Sequence, residues 1–267
     1  VTVTSISNTL ASNSWATIRA VSDAGKGANY WSVGDAKGIT INGKVGATTI
    51  SNLSISVFIL GFNHNASREG SNRIHFQIGK INGTLVGLVD GNYGNSTSTT
   101  GAFTMNTSYT NSGGWNNSHM RKTVLGSNST SATSPAANTL LAALPADLRA
   151  VMKPATKYSD NTGGGSDTAS YVTSTTDLLP LLSEFEYHGA RSYANSAEKN
   201  YQAQYDYYKA GNSKVHYKHN ATGTAAYAWC RSVLSGDYGI FCRVGADGGA
   251  GNGYAYYSWA LAPCFFV

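Results

Sequence analysis

Two long segments in which apolar and polar residues alternate with a period of two constrain the fold most strongly. They cover residues 48–62 and 73–90, and Ile74, Phe76 and Ile78 show the alternation clearly. Asn82-Gly83 interrupts the second segment with a residue pair that favours a tight hairpin turn. We therefore predict long antiparallel strands that pair with each other.

The rest of the chain predicts shorter elements around these strands. Expected helices are residues 12–25, with Ser12 and Ser14 as cap candidates and Gly25 as terminator, residues 112–126, with Trp115, Met120 and Val124 facing inward, and residues 144–152, with Pro145 in the first turn. Expected strands are residues 30–35, 39–43 and 153–158, and expected loops are residues 91–104 and 161–166. Neither an internal repeat nor a clear linker is visible, so we predict one α+β domain over residues 12–267.

Composition excludes several classes of function. Charged residues make up 12% of the chain, against about 25% in an average soluble domain, which is typical of extracellular or virion proteins. The net charge of +5 is spread without a basic cluster, so no nucleic-acid partner is expected. The longest apolar run, residues 55–62, is too short to span a bilayer. Residues 1–4 alternate like a strand, so residues 1–11 are expected to be a linker or the end of a preceding domain.

Three cysteines, Cys230, Cys242 and Cys264, form no C-x-x-C pair, so neither a zinc site nor a disulfide framework is indicated. Cys242 and Cys264 lie in apolar segments and are expected to be buried thiols. A Cys242–Cys264 disulfide is the alternative. No histidine is close in sequence to Cys230, so nothing indicates a reactive nucleophile there.

The last 41 residues, 227–267, have an unusual composition. Apolar ends enclose a middle of Gly, Ala, Tyr, Asn and Asp, which cannot form a core. Tyr238, Tyr254, Tyr256 and Tyr257 among small residues resemble an antibody paratope, where Tyr gives contact area at low entropic cost. We predict that this stretch forms a binding face.

Several stretches together resemble the bacterial and phage DUF6273 family, which has a C-type lectin-like fold related to the formylglycine-generating-enzyme group. The matching stretches are Tyr30-Trp-Ser-Val-Gly-Asp, Gly114-Trp-Asn-Asn-Ser-His-Met-Arg, Leu144-Pro-Ala-Asp-Leu, Asp177-Leu-Leu-Pro-Leu-Leu-Ser-Glu-Phe-Glu, Trp229-Cys-Arg-Ser and Ala262-Pro-Cys-Phe. The resemblance implies an α+β, C-type lectin-like fold with antiparallel sheets and two or more short helices. The cysteine spacing does not reproduce the reactive pair of the formylglycine-generating enzymes, so it does not imply their activity.

The C-terminal stretch further resembles the variable region of target proteins of diversity-generating retroelements, such as phage tropism determinants. That resemblance implies a fixed scaffold at Trp229, Arg231, Ser232, Ala262, Pro263 and Phe265. It implies ligand-facing variable positions at Tyr227, Cys230, Asp237, Tyr238, Gly239, Arg243, Gly245, Ala246, Gly251, Asn252, Gly253, Tyr254, Tyr256 and Tyr257. Trp259 fits this pattern poorly, because a Trp codon is not reached from an Asn codon by changing adenines alone.

Other candidate sites have structural interpretations that we favour. Arg231 is expected to be a structural hydrogen-bond centre rather than a ligand-binding cation. Glu184 and Glu186 suggest paired carboxylates for glycoside chemistry, but a structural role is preferred. His188, His216 and His219 have no completing carboxylate and are expected in solvated loops.

Two further segments leave alternatives open. Residues 90–95 and 160–167 offer oxygen ligands that suit a structural calcium ion, although no cofactor is the favoured expectation. The tyrosine-rich residues 193–219 either widen the binding face or cover the core.

The resulting hypothesis is a non-enzymatic receptor-recognition domain of a phage tail or a bacterial surface adhesin. Its expected partner is a protein or glycan on a bacterial cell surface, and its expected location is the virion or the cell exterior. The alternatives are a carbohydrate-active or cysteine-dependent enzyme, and a structural tail or cell-wall module.

Overall fold

The computed structural model describes residues 5–267, in which turns and loops connect short helices and mostly antiparallel strands. The strand-like alternation of residues 1–4 lies outside this part. In chain order, the α-helices are α1 (Trp15–Asp23), α2 (Gly27–Tyr30), α3 (Ala66–Glu69), α4 (Gly114–Asn117), α5 (Leu140–Ala143), α6 (Ala146–Arg149), α7 (Glu184–His188) and α8 (Asp206–Lys209). The strands are β1 (Ala36–Val45), β2 (Thr48–Phe62), β3 (Ile74–Ile81), β4 (Thr84–Gly87), β5 (Ala155–Asp160), β6 (Val172–Asp177), β7 (His216–Lys218), β8 (Ala221–Ala226), β9 (Ala228–Val233), β10 (Ile240–Val244), β11 (Ala250–Tyr254) and β12 (Cys264–Phe266).

The largest sheet is built on the two alternating segments. Its order is β1-β2-β3-β4-β7-β8, and β12 pairs with β3 beside β4. The β3–β4 hairpin turns at Asn82 and Gly83, whose positive φ angles of 48° and 79° suit the tight turn predicted from the sequence. Only β4 and β7 run parallel among the described pairs of this sheet. The predicted α+β class with mostly antiparallel sheets is therefore confirmed.

Both faces of the large sheet are buried at its centre, on β3. On β3, Ile74, Phe76 and Ile78 pack into one apolar cluster with α1 and α6. The alternate residues His75 and Gln77 are equally buried and face a second cluster rich in tyrosine. Polar residues can occupy this second face because they are hydrogen-bonded: Gln77 Nε2 donates to Tyr187 Oη at 2.9 Å.

Helix α1 begins at the predicted cap. The Ser14 hydroxyl accepts from the Thr17 N–H at 3.0 Å, and Trp15, Ile18 and Val21 are buried. Residues 1–11 were expected to be a linker or the end of a preceding domain, but residues 7–10 contact the rest of the fold. Leu10 is buried in the first apolar cluster, and the Trp31 indole donates to the Ser7 carbonyl at 3.0 Å.

Three local predictions are corrected. Residues 31–35 form a turn rather than a strand, because the Asp35 N–H donates to the Ser32 carbonyl at 3.1 Å and Gly34 has a φ of 94°. Residues 112–126 divide into α4 and a π-helical turn, Met120–Leu125, because Ser118 between them is extended. The loop 91–104 is not exposed throughout, since Ala102, Phe103 and Thr104 are buried.

The remaining predictions concern the C-terminal half. The helix expected over residues 144–152 is the shorter α6, with Pro145 at its N-cap, and the strand expected over residues 153–158 is β5, displaced by two residues. In the tyrosine-rich segment 193–219, Tyr205 and Tyr208 are fully covered, so this segment covers the second cluster of the core.

The cysteines are buried as free thiols. Cys230, Cys242 and Cys264 are each fully covered and unpaired. The thiol interpretation of Cys242 and Cys264 is therefore confirmed, and the alternative disulfide is wrong.

Candidate functional site

A second sheet carries most of the C-terminal stretch. Its order is β11-β10-β9, with Arg243 on β10 opposite Gly251 on β11 and Trp229 on β9. Residues 255–263 then run back to β12 in the large sheet, and the Ala260 N–H donates to the Tyr227 carbonyl at 2.9 Å. The tyrosine-rich middle of residues 227–267 is thus fixed at both ends by strand pairing, through β9 and β10 on one side and β12 on the other.

The loop 91–104 is hydrogen-bonded to residues 256–258 of the C-terminal stretch. The Thr97 N–H donates to the Tyr256 carbonyl at 3.0 Å, and the Ser258 N–H donates to the Asn95 carbonyl at 3.1 Å. Asp90 organises this loop, because its carboxylate accepts from Asn92 N, Phe103 N and Ser258 Oγ at 2.6–2.9 Å.

A continuous line of aromatic side chains crosses this part of the surface. We call it the aromatic row, and its members are Tyr227, Trp259, Tyr257, Tyr254, Tyr109 and Tyr238. Successive ring centroids lie 5.3, 5.7, 5.6, 5.2 and 5.1 Å apart. Tyr256 lies beside the row, 5.4 Å from Tyr257. Aromatic pairs at these separations attract one another, so the row is a cohesive surface.

The row is partly open to solvent. Tyr238 is 62% exposed, Tyr254 is 40% exposed and Tyr227 is 36% exposed, and these are the exposed large apolar side chains of the described chain. Tyr109 and Tyr257 are half-buried, and Trp259 is only 7% exposed. Exposed aromatic residues grouped on an otherwise polar surface are typical of an interaction site.

Charged groups mark the two ends of the row. At one end the Arg243 guanidinium carbon lies 3.8 Å from the Tyr227 ring centroid, within the range of a cation–π contact. A groove of about 360 Å³ opens beside it, lined by Tyr227, Arg243, Gly245, Ala246, Asp247 and Ala250. At the other end the Tyr109 hydroxyl donates to the Asp237 carboxylate at 2.9 Å.

Most residues expected to face a ligand come together here. Tyr227, Tyr238, Tyr254 and Tyr257 belong to the row, Tyr256 lies beside it, Arg243 and Asp237 lie at its ends, and Gly245 and Ala246 line the groove. Asn252 is half-buried on β11, and its carbonyl accepts from Arg243 Nε at 2.9 Å.

The structure contradicts the ligand-facing prediction for Cys230. Its side chain is fully buried in the second cluster of the core, because β9 turns this position inward. Gly239, Gly245 and Gly251 are also buried. A Cβ at Gly239 would lie 2.6 Å from the Tyr109 ring, and one at Gly251 would lie 3.0 Å from the Arg243 guanidinium. A larger residue at either position must displace the side chain above it.

Sequence reasoning missed two members of the row. Tyr109 lies 129 positions before Tyr238 and 145 positions before Tyr254, in a polar segment with no distinguishing pattern. Trp259 does not fit the codon pattern of a variable position, yet it joins Tyr227 to Tyr257. The abundance of aromatic residues around position 259 was the available signal.

A buried ionic network lies beneath the surface. Arg231 contacts both carboxylate oxygens of Glu186, and its Nε donates to Ser159 Oγ at 2.8 Å. Lys157 Nζ donates to Glu186 at 2.8 Å and to Glu69 at 2.6 Å. All four charged side chains are at most 3% exposed. Arg231 is therefore a structural centre, as predicted.

The network sets the protonation of its own members. Burial alone would raise the pKa of the Glu186 carboxyl, but Arg231 and Lys157 outweigh burial and hold that pKa below its ordinary value. Burial also raises the pKa of Glu69, and Lys157 offsets this only in part. The network joins α3, β5, α7 and β9, so it fixes the strand that carries Trp229 and Arg231.

The carboxylates considered for glycoside chemistry are already engaged. Glu184 accepts backbone N–H bonds from Ser192, Tyr193 and Ala194 at 2.8–3.1 Å, and Glu186 belongs to the ionic network. Both lie on α7 and are fully buried. Neither carboxylate is available to a solvent-borne substrate in this arrangement.

One histidine and two glutamates of the core are close enough together to be compared with a metal site. His64, Glu69 and Glu186 bring possible ligand atoms within 4.8 Å of one another, but Lys157 Nζ already lies between the two carboxylates. That ammonium group supplies the positive charge that a metal ion would provide there. His216 is fully buried rather than solvated, and its ring lies 5.7 Å from that of Tyr187.

The segments considered for calcium have internal partners. Asp160 accepts from Thr162 N, Gly163 N and Asn195 Nδ2 at 2.8–3.0 Å. Asp167 accepts from Ser196 N at 2.7 Å. The carboxylates of Asp90, Asp160 and Asp167 therefore hold their own loops in place by accepting hydrogen bonds from them and from neighbouring residues.

Comparisons with protein-family models, curated proteins and solved structures return no match to this chain. Within residues 5–267, no helix has the length and apolar character needed to cross a membrane.

Proposed function

We propose that this chain is a ligand-recognition domain whose aromatic row is the recognition surface. In this proposal it has a C-type lectin-like fold and serves as a receptor-binding module of a phage tail or a bacterial surface adhesin. Its ligand is a protein or glycan on a bacterial cell. The observation that carries the proposal is the continuous aromatic row, with a cation at one end and a carboxylate at the other.

Rigid support strengthens this interpretation. Trp229 is buried beneath the row, 4.3 Å from Trp259, and its indole N–H donates to the Phe103 carbonyl at 3.1 Å. Aromatic side chains held in place lose little entropy on binding, so a preorganised row favours recognition.

The division between buried and accessible residues supports a diversified surface. The positions expected to be fixed, such as Trp229, Arg231 and Phe265, are buried. The tyrosines expected to vary are exposed or half-buried. Substitutions on such a surface usually change stability by less than about 0.5 kcal/mol, which is what a diversification mechanism requires. Cys230 does not fit, because its side chain belongs to the core. Gly239, Gly251 and Gly253 do not fit either, because a Cβ at each position would press on the side chain above it.

Binding to whole cells tests recognition by this surface. The purified chain is labelled and applied to a panel of bacterial strains, and bound fluorescence is measured for the wild type, Tyr254→Ala and Tyr257→Ala. We expect binding to at least one strain and its loss in both variants. Tyr201→Ala is the matched control, because Tyr201 packs on Tyr158 outside the row. Equal binding by all four proteins would refute the assignment of the row.

Sequencing the gene neighbourhood tests diversification separately. We expect a reverse transcriptase gene and a near-copy of the codons for residues 227–267 that differs only at adenines. A near-copy that differs at other bases would contradict the diversification proposal, and so would a neighbourhood without any near-copy. Neither result would affect the proposal that the row recognises a ligand.

A further inference from the structure

Arg243 is held in a defined orientation at one end of the aromatic row. Its guanidinium carbon lies 3.8 Å from the Tyr227 centroid and 5.0 Å from the Trp259 centroid, and its Nε donates to the Asn252 carbonyl at 2.9 Å. An arginine stacked in this way keeps its terminal N–H groups for a planar partner such as a carboxylate.

The positive charge at this end has no counterion within ion-pair distance. Among residues 5–267, neither Arg243 nor Lys218 has a carboxylate oxygen within 4.0 Å. Lys218 Nζ lies 4.2 Å from the Tyr93 centroid, and the Tyr93 hydroxyl accepts from the Tyr227 N–H at 2.8 Å. Arg243 and Lys218 therefore lie on either side of the hydrogen-bonded pair Tyr227 and Tyr93.

One acidic residue, Asp247, lines the groove beside Arg243. Its carboxylate accepts from the Gly249 N–H at 3.0 Å. Counting Arg243, Lys218 and Asp247 leaves one net positive charge at this end. The groove therefore offers a cationic site for an anion and a nearby acceptor for a hydroxyl group.

The aromatic neighbours of Arg243 suggest the shape of the anion. Tyr254 and Tyr257 are nearly parallel, with 12° between their planes, and both reach solvent, whereas Trp259 between Tyr257 and Arg243 is only 7% exposed. The faces of these rings carry partial negative charge and attract the slightly positive C–H groups on one side of a pyranose. A carboxylate attached to a sugar ring can thus engage Arg243 and the neighbouring rings together.

We infer that this surface recognises an acidic oligosaccharide built from uronic or sialic acid units. The sugar carboxylate pairs with Arg243, a sugar hydroxyl donates to Asp247, and a pyranose ring of the oligosaccharide packs on Tyr254 and Tyr257. This inference rests on the proposed function, because it names the ligand class of the same surface. An acidic peptide of Asp and Gly supplies the carboxylate but no ring to cover Tyr254 and Tyr257.

The test compares matched probes by isothermal titration calorimetry on the intact chain. The probes are a galacturonic acid hexamer, a trimer of α2,8-linked sialic acid, the carboxyl-reduced form of each, and a hexapeptide of alternating Asp and Gly. We expect at least one carboxylated sugar to bind about tenfold or more tightly than its reduced form, since a hydrogen bond to a charged group contributes this much. The hexapeptide should bind more weakly than that sugar.

Three variants test whether Arg243 causes the difference in affinity between the carboxylated and the reduced sugar. Arg243→Gln should lower affinity for the carboxylated sugar about tenfold and leave affinity for the reduced sugar unchanged. Lys218→Gln should weaken only the carboxylated probe, and to a smaller extent. Arg68→Gln is the matched control, because Arg68 also stacks on a tyrosine, 4.7 Å from the Tyr201 centroid, but lies outside the row.

Three results would overturn the inference: equal binding of carboxylated and reduced sugars, unchanged affinity in Arg243→Gln, or tighter binding of the acidic peptide. A lack of binding by either carboxylated sugar at millimolar concentration would also overturn it. None of these results decides the proposed function, which depends on cell binding by Tyr254→Ala and Tyr257→Ala. If those variants lose cell binding, the row remains a recognition surface for another ligand.

Discussion

The indole of Trp259 lies directly over Gly253, so that a Cβ at residue 253 would overlap the ring. Gly253 was expected to be a freely variable position, but the structure makes it the floor beneath Trp259. Tyr109 covers Gly239 in the same way. Variation at these two positions therefore changes the shape of the aromatic row as well as the local side chain.

Gly253→Ala should displace Trp259 and break the contacts that join Tyr227 to Tyr257. We expect altered near-ultraviolet circular dichroism and a loss of stability of about 1–3 kcal/mol, the usual cost of overpacking. Gly223→Ala is the control, because a Cβ there meets open space and the position is exposed. Similar spectra for both variants would contradict the role of Gly253.

Glu186→Gln should destabilise the fold strongly. The substitution leaves the buried Arg231 without its carboxylate and removes one of the two carboxylates that contact Lys157. Breaking a buried pair on one side costs about 3–5 kcal/mol, measured here as the free energy of unfolding in urea.

Asp23→Asn provides the comparison for Glu186→Gln. Asp23 also contacts two cations, Arg19 at 2.8 Å and Lys153 at 2.5 Å, but its side chain is 51% exposed. Its replacement should cost less than about 1 kcal/mol. An equal loss in both variants would show that burial does not set the strength of the Glu186 contacts.

Glu198 should make stability depend on pH. Burial raises the pKa of its carboxyl from 4.5 to about 7. Between these values the folded chain holds a proton that the unfolded chain has released, so this contribution to stability falls as pH rises and is constant above about 7.

The Glu198→Gln variant isolates this contribution. The unfolding free energy of the variant minus that of the wild type should increase from pH 4.5 to about 7 and then level off. Urea titrations at several pH values measure the difference. A difference that does not change with pH would mean that the pKa of Glu198 is unperturbed in the folded chain.

Asn111 should control the loop that carries Asp237 and Tyr238. Its fully buried amide donates to the carbonyls of Asp237 at 2.7 Å and Ile240 at 3.1 Å. Asn111→Ala should therefore speed amide hydrogen exchange in residues 235–240 and destabilise the chain by about 1–3 kcal/mol. Asn128→Ala, at an exposed position, should do neither.

The cysteines should be unreactive until the chain unfolds. Burial raises the pKa of the Cys264 thiol to about 12 and raises those of Cys230 and Cys242 as well. Iodoacetamide at pH 8 should leave the native protein unmodified, while mass spectrometry after denaturation without reductant should find all three modified. Only one modified cysteine would reveal a disulfide after all.

Local sequence patterns were enough to predict the main secondary structure. The period-two alternation of residues 48–62 coincides with the bounds of β2, and Asn82-Gly83 marks the hairpin between β3 and β4. Ser14 marks the start of α1. These signals succeed because turn, cap and alternation chemistry act between residues close in sequence.

The same patterns failed where turn hydrogen bonds or distant contacts outweigh the preference of the side chains. Residues 31–35 have strand-forming side chains, but hydrogen bonds between Ser32 and Asp35 close a turn there. Cys230 has the neighbours of a variable residue, but the pairing of β9 with β10 turns its side chain into the core. Periodicity carries no information on which side of a sheet is covered by another part of the chain.

By itself, the sequence determined that this is an α+β chain with a long antiparallel core and a tyrosine-rich C-terminal surface. The tertiary structure decided which tyrosines belong to that surface, since Tyr109 joins it from about 130 positions away. It also decided that Arg231 and Glu186 meet in the core and that Arg243 remains available at the surface. The physical reason is that burial and ion pairing depend on residues far apart in sequence, whereas composition and periodicity report only on neighbours.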